Sequence, residues 1–369
     1  MRYSKPKAPS VLTGINPVKP LFIAILGASP IVAMASPAVS GGIWFNYAYE
    51  TDSDRDEESL GTLGDEAVIL YFDDQREGSP ISLSAEVRYG PGSFTRSSSN
   101  STGDNFGLHK AWIGYQLNEE SSLKLGKSQV PFGWKNSNFW PGDTLMGGYG
   151  DQMDVGIKYT AMRDGLNYNL AYYHADDWGK TSTDTMDDNG HWGSSTTYRK
   201  VQTLVADAAF NVSSGQQVGA SVQAGKLQDL TGVDITNPVD GNHSALAVYY
   251  KGEFDQLGVK GQYTVTKRSL PDDYATAISL DEVKNDRAAL ELSWTQGNYF
   301  FYLDANWAMP NTDGNNADTV AAYVPGVSYN YGPGWVYLEY LTQDGGIDAN
   351  GMVTEGDYEA IYATIDYYF

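Results

Sequence analysis

The chain has no cysteine among its 369 residues. That excludes disulfides, thiolate metal centres and thiol redox chemistry. Histidine is nearly as scarce, with four residues: His109, His174, His191 and His243. None stands in an H-E-x-x-H arrangement and no G-x-S-x-G occurs, so common hydrolase signatures are missing. The expectation is a protein that is not an enzyme and takes no metal or cofactor. Basic residues are few. Against 46 Asp and Glu there are 24 Lys and Arg, which disfavours nucleic acid as a partner. Beyond residue 35 no apolar run is long enough for a membrane-spanning helix.

What is present begins with a basic leader. Residues 1–20 hold Arg2, Lys5, Lys7 and Lys19 and no acid, and "LFIAILGASPIVAMA" follows from Leu21 to Ala35. Such a stretch is short of the ~20 residues that cross a bilayer, and Ala33-x-Ala35 ends it. A secretory signal peptide over 1–35 is expected, with one mature domain over 36–369. The mature part then has 20 basic against 46 acidic residues, a net −26.

Alternation with period two recurs along the mature chain, in a composition rich in Tyr and Gly. Strands are expected near 41–50, 66–74, 81–89, 107–117, 122–130, 154–160, 166–174, 198–210, 217–225, 243–251, 257–266, 285–294, 299–307, 320–331, 334–342 and 357–369. Pro325 implies a bulge in the fourteenth. In 81–89, Ile81, Leu83, Ala85, Val87 and Tyr89 oppose Ser82, Ser84, Glu86 and Arg88. Connections after even-numbered strands are brief, such as "AMRDG" and "TQGN", and those after odd-numbered strands are mostly long. A soluble β-sandwich also alternates. Sixteen strands in plain up-and-down order, with aromatics at strand ends, instead match a transmembrane barrel. The fold class is therefore all-β: a transmembrane antiparallel β-barrel of sixteen strands, with long extracellular loops and short periplasmic turns. The closing "EAIYATIDYYF" reads as a strand pairing with "GGIWFNYAYE", which would leave no free edge.

At this point the chain resembles bacterial outer-membrane porins. The resemblance implies a homotrimer in the outer membrane of a Gram-negative bacterium. It also implies a barrel-assembly machinery that reads Phe369, with Tyr367 beside it. A local stretch, "LKLGKSQVPFGW" from Leu123 to Trp134, resembles the strand-end motif of the phosphate-selective porin O and P type. Gly126, Val130, Pro131, Phe132 and Gly133 stand at its positions. Members of that type resemble one another in a basic ladder, whereas this mature chain has eight Arg. General diffusion of small hydrophilic or ionic solutes is therefore expected, with phosphate-type anion selectivity as the alternative.

The loop after the fifth strand is rich in aromatics, including Phe132, Trp134, Phe139 and Trp140, and also holds Asp143 and Asp151. Left exposed, such a loop would keep apolar area in water at ~25 cal/mol per Å². Folding into the barrel would hide it, and in porins this loop narrows the pore. Arg88, Lys110, Lys124 and Lys158 on four successive strands are expected to form a basic pore wall, with Glu86 beside them. Acids lie elsewhere, Asp304, Glu339 and Asp366 on later strands and Asp143 and Asp151 in the inward loop, and a basic wall against an acidic loop is expected to set a transverse field across the pore. Most of the negative charge falls in the long loops, so weak cation selectivity is expected. Asp52, Asp54 and Asp56 have calcium-loop spacing but lack the Gly and Glu that complete such a loop. They read as solvated, with loose bridging to lipopolysaccharide the alternative. Adhesion through the acidic loops remains a third reading, which bilayer conductance separates from a channel.

Overall fold

The computed structural model describes residues 38–51, 60–95, 103–146, 152–176, 197–231 and 238–369. The stretch 1–35 expected to be a signal peptide lies outside the described residues, as do Asp52, Asp54, Asp56, Asp151 and His191. Sixteen strands are present: β1 (Ala38–Glu50), β2 (Thr62–Gln75), β3 (Ile81–Tyr89), β4 (Phe106–Asn118), β5 (Ser121–Gln129), β6 (Met153–Arg163), β7 (Leu166–Ala175), β8 (Tyr198–Ser213), β9 (Gln216–Asp229), β10 (Gly241–Phe254), β11 (Leu257–Ser269), β12 (Glu282–Gln296), β13 (Tyr299–Pro310), β14 (Val320–Asn330), β15 (Trp335–Ile347) and β16 (Val353–Tyr368). Each pairs antiparallel with its sequence neighbours, and β1 pairs with β16 to close the barrel. The fold class expected from the sequence is the one observed.

The period-two pattern explains the two surfaces. Leu83, Ile113, Leu125, Ile157, Leu170, Leu204, Val222, Val248, Val265, Leu292, Leu303 and Leu338 all point outward and stay exposed. A soluble protein would not leave such a belt in water. A transmembrane barrel presents it to lipid, where a charge at mid-depth would cost ~2–4 kcal/mol. The alternate residues face inward and are mostly small or polar.

The closing seam depends on two adjacent glycines. Gly41 and Phe369 exchange backbone hydrogen bonds of 3.0 and 2.9 Å. A Cβ on Gly41 would lie 2.7 Å from the Phe369 ring, and one on Gly42 2.7 Å from the Tyr368 ring. Successive strand residues face opposite sides, so the pair gives one ring room outside the barrel and the other room inside.

Two sequence expectations change. Pro325 makes no bulge: Leu303 pairs with Pro325, and Tyr323–Thr342 and Gly326–Glu339 share one register. The ladder skips only the pairs between, because proline has no N–H to donate. The connections after β13 and β15 shrink to 311–319 and 348–352, since the flanking strands run further out than their alternation shows. A short helix, α1 (Asp272–Ile278), occupies the connection after β11. Its Tyr274 hydroxyl donates to the Asn350 side chain at 2.8 Å, and Arg268 and Tyr198 both bond the Ala349 carbonyl. The 348–352 turn thus reaches across to β8 and β11.

Candidate functional site: the loop after β5 and the inward lysines

Inside β5, Gly126 has φ +124°, and its missing Cβ would lie 2.3 Å from the Ala111 carbonyl oxygen. No other residue fits there. A second glycine, Gly133 at φ +66°, passes so close to the Gln262 side chain that a Cβ would lie 2.3 Å from its amide oxygen. The glycines of "LKLGKSQVPFGW" therefore have a mechanical role: Gly126 lets β5 pack closely on β4, and Gly133 lets the loop lie close against Gln262 on the far wall.

From there the loop follows that wall. Phe132 packs among Ala171, Tyr173, Val205, Ala245 and Ala247. Trp134 packs on Ala209, Tyr249 and Ala289. Backbone N–H groups then bond wall side chains in order. Gly133 donates to Ser221 of β9 (2.9 Å) and Trp134 to Gln262 of β11 (3.0 Å). Ser137 donates to Glu291 of β12 (2.7 Å) and Asn138 to Asp304 of β13 (3.2 Å). Phe139 and Trp140 donate to the two carboxylate oxygens of Glu339 on β15 (2.6 and 3.0 Å). The tip ends in an aromatic cluster. Phe139 meets Trp44 edge-on with ring centres 5.6 Å apart, and Trp140 lies 5.0 Å from Phe94. Leu145 completes the packing on β14–β16. These anchors centre on β12, which in a ring of sixteen strands lies opposite β4.

The inward acids expected on later strands are bonded within the chain. Glu339 binds the loop and accepts the Tyr302 hydroxyl at 2.5 Å. Asp304 also accepts the Asn138 amide at 2.9 Å, and Asp366 accepts the Trp335 N–H at the turn after β14 (2.5 Å). Of the loop residues singled out from sequence, Phe132 and Trp134 are wall anchors, and Asp143 is half-buried before a 3₁₀ turn at Thr144–Met146.

The basic residues lie on β3–β6. Arg88 is paired with Glu86 at 2.9 Å, and its guanidinium lies 5.8 Å from the Trp44 ring centre. Lys110 stands directly opposite Glu86 in register, 6.0 Å from the Tyr71 ring. Lys124 stands directly opposite Lys158. Its ammonium lies 4.1 Å from the Trp112 ring, and that ring spreads over Gly114. Lys158 donates to the Gln129 carbonyl at 2.7 Å. Among the described residues, no carboxylate is within ion-pair distance of Lys110, Lys124 or Lys158.

A second lysine pair escaped the sequence reading. Lys251 of β10 faces Lys260 of β11 in register, and both point inward. Lys260 forms an ion pair with Glu291 at 2.8 Å, while Lys251 lies 5.1 Å from the Tyr249 ring. Glu291, Ser137 and Asn138 were also missed. The available signal was a carboxylate at mid-strand on an inward face, which needs a partner from inside the barrel. Of the histidines, His243 bonds the Thr203 hydroxyl at 3.0 Å and His174 the Tyr172 hydroxyl at 3.3 Å. His109 sits at the register shift between β3 and β4.

No protein-family model matches the chain, and no curated protein matches it. Solved structures do share its fold. A loop-deletion form of OmpT, an outer membrane protein of Vibrio cholerae, is 14% identical with a TM-score of 0.62, covering 90% of this chain and 99% of that one. The outer membrane channel DcaP of Acinetobacter baumannii is 12% identical at 0.61, covering 91% and 99%. An anion-selective porin from Comamonas acidovorans is 14% identical at 0.60, covering 90% and 99%. At these identities the likeness is one of fold. The chain is a sixteen-stranded transmembrane β-barrel of the kind outer-membrane proteins build.

Proposed function

We propose that this barrel is a passive outer-membrane pore for small hydrophilic solutes, with a narrow section that prefers anions. The observation that carries the reading is the unequal fate of the inward charges. Glu291, Asp304, Glu339 and Asp366 are bonded to the chain itself. Lys110, Lys124, Lys158 and Lys251 make no ion pair among the described residues, and Lys124 and Lys158 stand side by side. Like charges in direct cross-strand register are destabilising, so the pair fits a wall that attracts solute charge rather than one built for stability alone.

The sequence expectation of weak cation selectivity followed total charge. Placement argues for a salt-dependent outcome. At ~0.01 M the Debye length is about 30 Å and the acidic outer loops would dominate. At ~1 M it is about 3 Å, and only charges beside the solute would act. The reversal potential across KCl gradients should therefore move toward anions as mean salt rises. Cation preference persisting at ~1 M would overturn the anion reading, and absence of bilayer conductance would overturn the pore.

A substrate-selective, phosphate-type anion porin is the alternative reading of the same wall, whose one arginine, Arg88, is paired with Glu86. A homotrimer is proposed by analogy with a fold neighbour described as a trimer form of OmpT. Lipopolysaccharide and the barrel-assembly machinery are proposed partners, the latter through Phe369 and Tyr367. The reading assigns no catalysis.

A further inference from the structure

We infer that Lys260 is the charge that locks the constriction loop against the wall, and so a positioning residue that sets the width of the pore. The inference rests on the pore reading above. Glu291 and Asp304 stand directly opposite each other on β12 and β13, both almost fully buried. Two carboxylates in that position repel unless a cation is at hand. The loop brings neutral donors: the Ser137 N–H and hydroxyl to Glu291, and the Asn138 N–H and amide to Asp304.

Lys260 brings the positive charge. Its ammonium lies 2.8 Å from Glu291 and donates to the Lys135 carbonyl at 3.2 Å and the Ser137 hydroxyl at 3.1 Å. It also lies 5.4 Å from the Trp134 ring centre. One side chain thus touches the loop at 134, 135 and 137 while neutralising the acids that hold 137 and 138. The cross-strand neighbour Lys251 is an internal control, with the same chemistry and inward direction but no bond to the described part of the loop. One lysine of the pair is a lock and the other a free charge.

The test uses the full-length barrel refolded in detergent and inserted in planar bilayers. Lys260→Met should raise single-channel conductance and open-channel noise, and should expose the loop to trypsin at Lys135. Lys251→Met should keep the protection at Lys135 while shifting the reversal potential toward cations. Lys260→Arg should behave as wild type. Lys260→Met combined with Glu291→Gln should recover part of the protection, because the repulsion is then removed. Wild-type conductance and protection in a folded, heat-modifiable Lys260→Met barrel would overturn the inference. So would a double variant no better protected than the single one, or an arginine variant as loose as methionine. The trypsin readout needs no conduction, so a failed lock and a failed pore are told apart.

Discussion

Lys124 and Lys158 face each other across the β5–β6 ladder, on the inner wall opposite the anchored loop. Two ammonium groups in direct register repel, and no carboxylate among the described residues relieves them. Lys124→Gln with Lys158→Gln should shift the reversal potential in KCl toward cations at every salt concentration. It should also stabilise the barrel by about 0.2–1 kcal/mol, the range of cross-strand pair energies. Urea unfolding in detergent measures the second effect. Unchanged selectivity would remove these lysines from the narrow section.

Glu339 closes the tip of the loop by accepting the N–H groups of Phe139 and Trp140. Hydrogen bonds to a charged acceptor contribute about 1.5–3 kcal/mol each. Glu339→Ala should therefore free the tip, with higher conductance and protease cleavage between residues 139 and 146. Glu339→Gln keeps an acceptor and should lie between the two. Equal protection in all three proteins would show that Trp44, Phe94 and Leu145 hold the tip without help.

Gly126 occupies a backbone conformation that costs a residue with a side chain about 1–3 kcal/mol, and a Cβ would also strike the Ala111 carbonyl. Gly126→Ala should lower the yield of heat-modifiable barrel. Gly261→Ala is the control: its Cβ would have its nearest neighbour at 3.9 Å and should change little. Equal yields would mean that β4 and β5 can pair without this glycine.

Phe369 offers two separable roles, as ring over Gly41 and as mark for assembly. Phe369→Ala keeps the backbone bonds to Gly41 but loses the ring. If the ring matters to the seam, refolding into detergent without any machinery should slow, and so should assembly in cells. If it is only a mark, detergent refolding should match wild type while assembly in cells falls. Wild-type behaviour in both assays would leave Phe369 with neither role.

The number of strands, their faces, the side bearing short turns and the inward fall of an aromatic loop were legible in the sequence. Each follows from local chemistry: period-two alternation, glycine and polar turns, and the cost of leaving Phe132, Trp134, Phe139 and Trp140 in water. The bulge expected at Pro325 failed because a missing N–H deletes ladder bonds without forcing a shift of register. What only the tertiary structure decided was which inward charges are spent. Glu291, Asp304 and Glu339 find their partners in residues 137–140, which lie more than 150 positions away in sequence. No local pattern carries that information. Lys251 and Lys260 are alike in type and direction, and they differ because the loop passes within bonding distance of one of them. Closure of the barrel and the path of one loop across it therefore decide which inward charges are paired within the chain, since each pairing needs groups that only the closed ring brings within bonding distance.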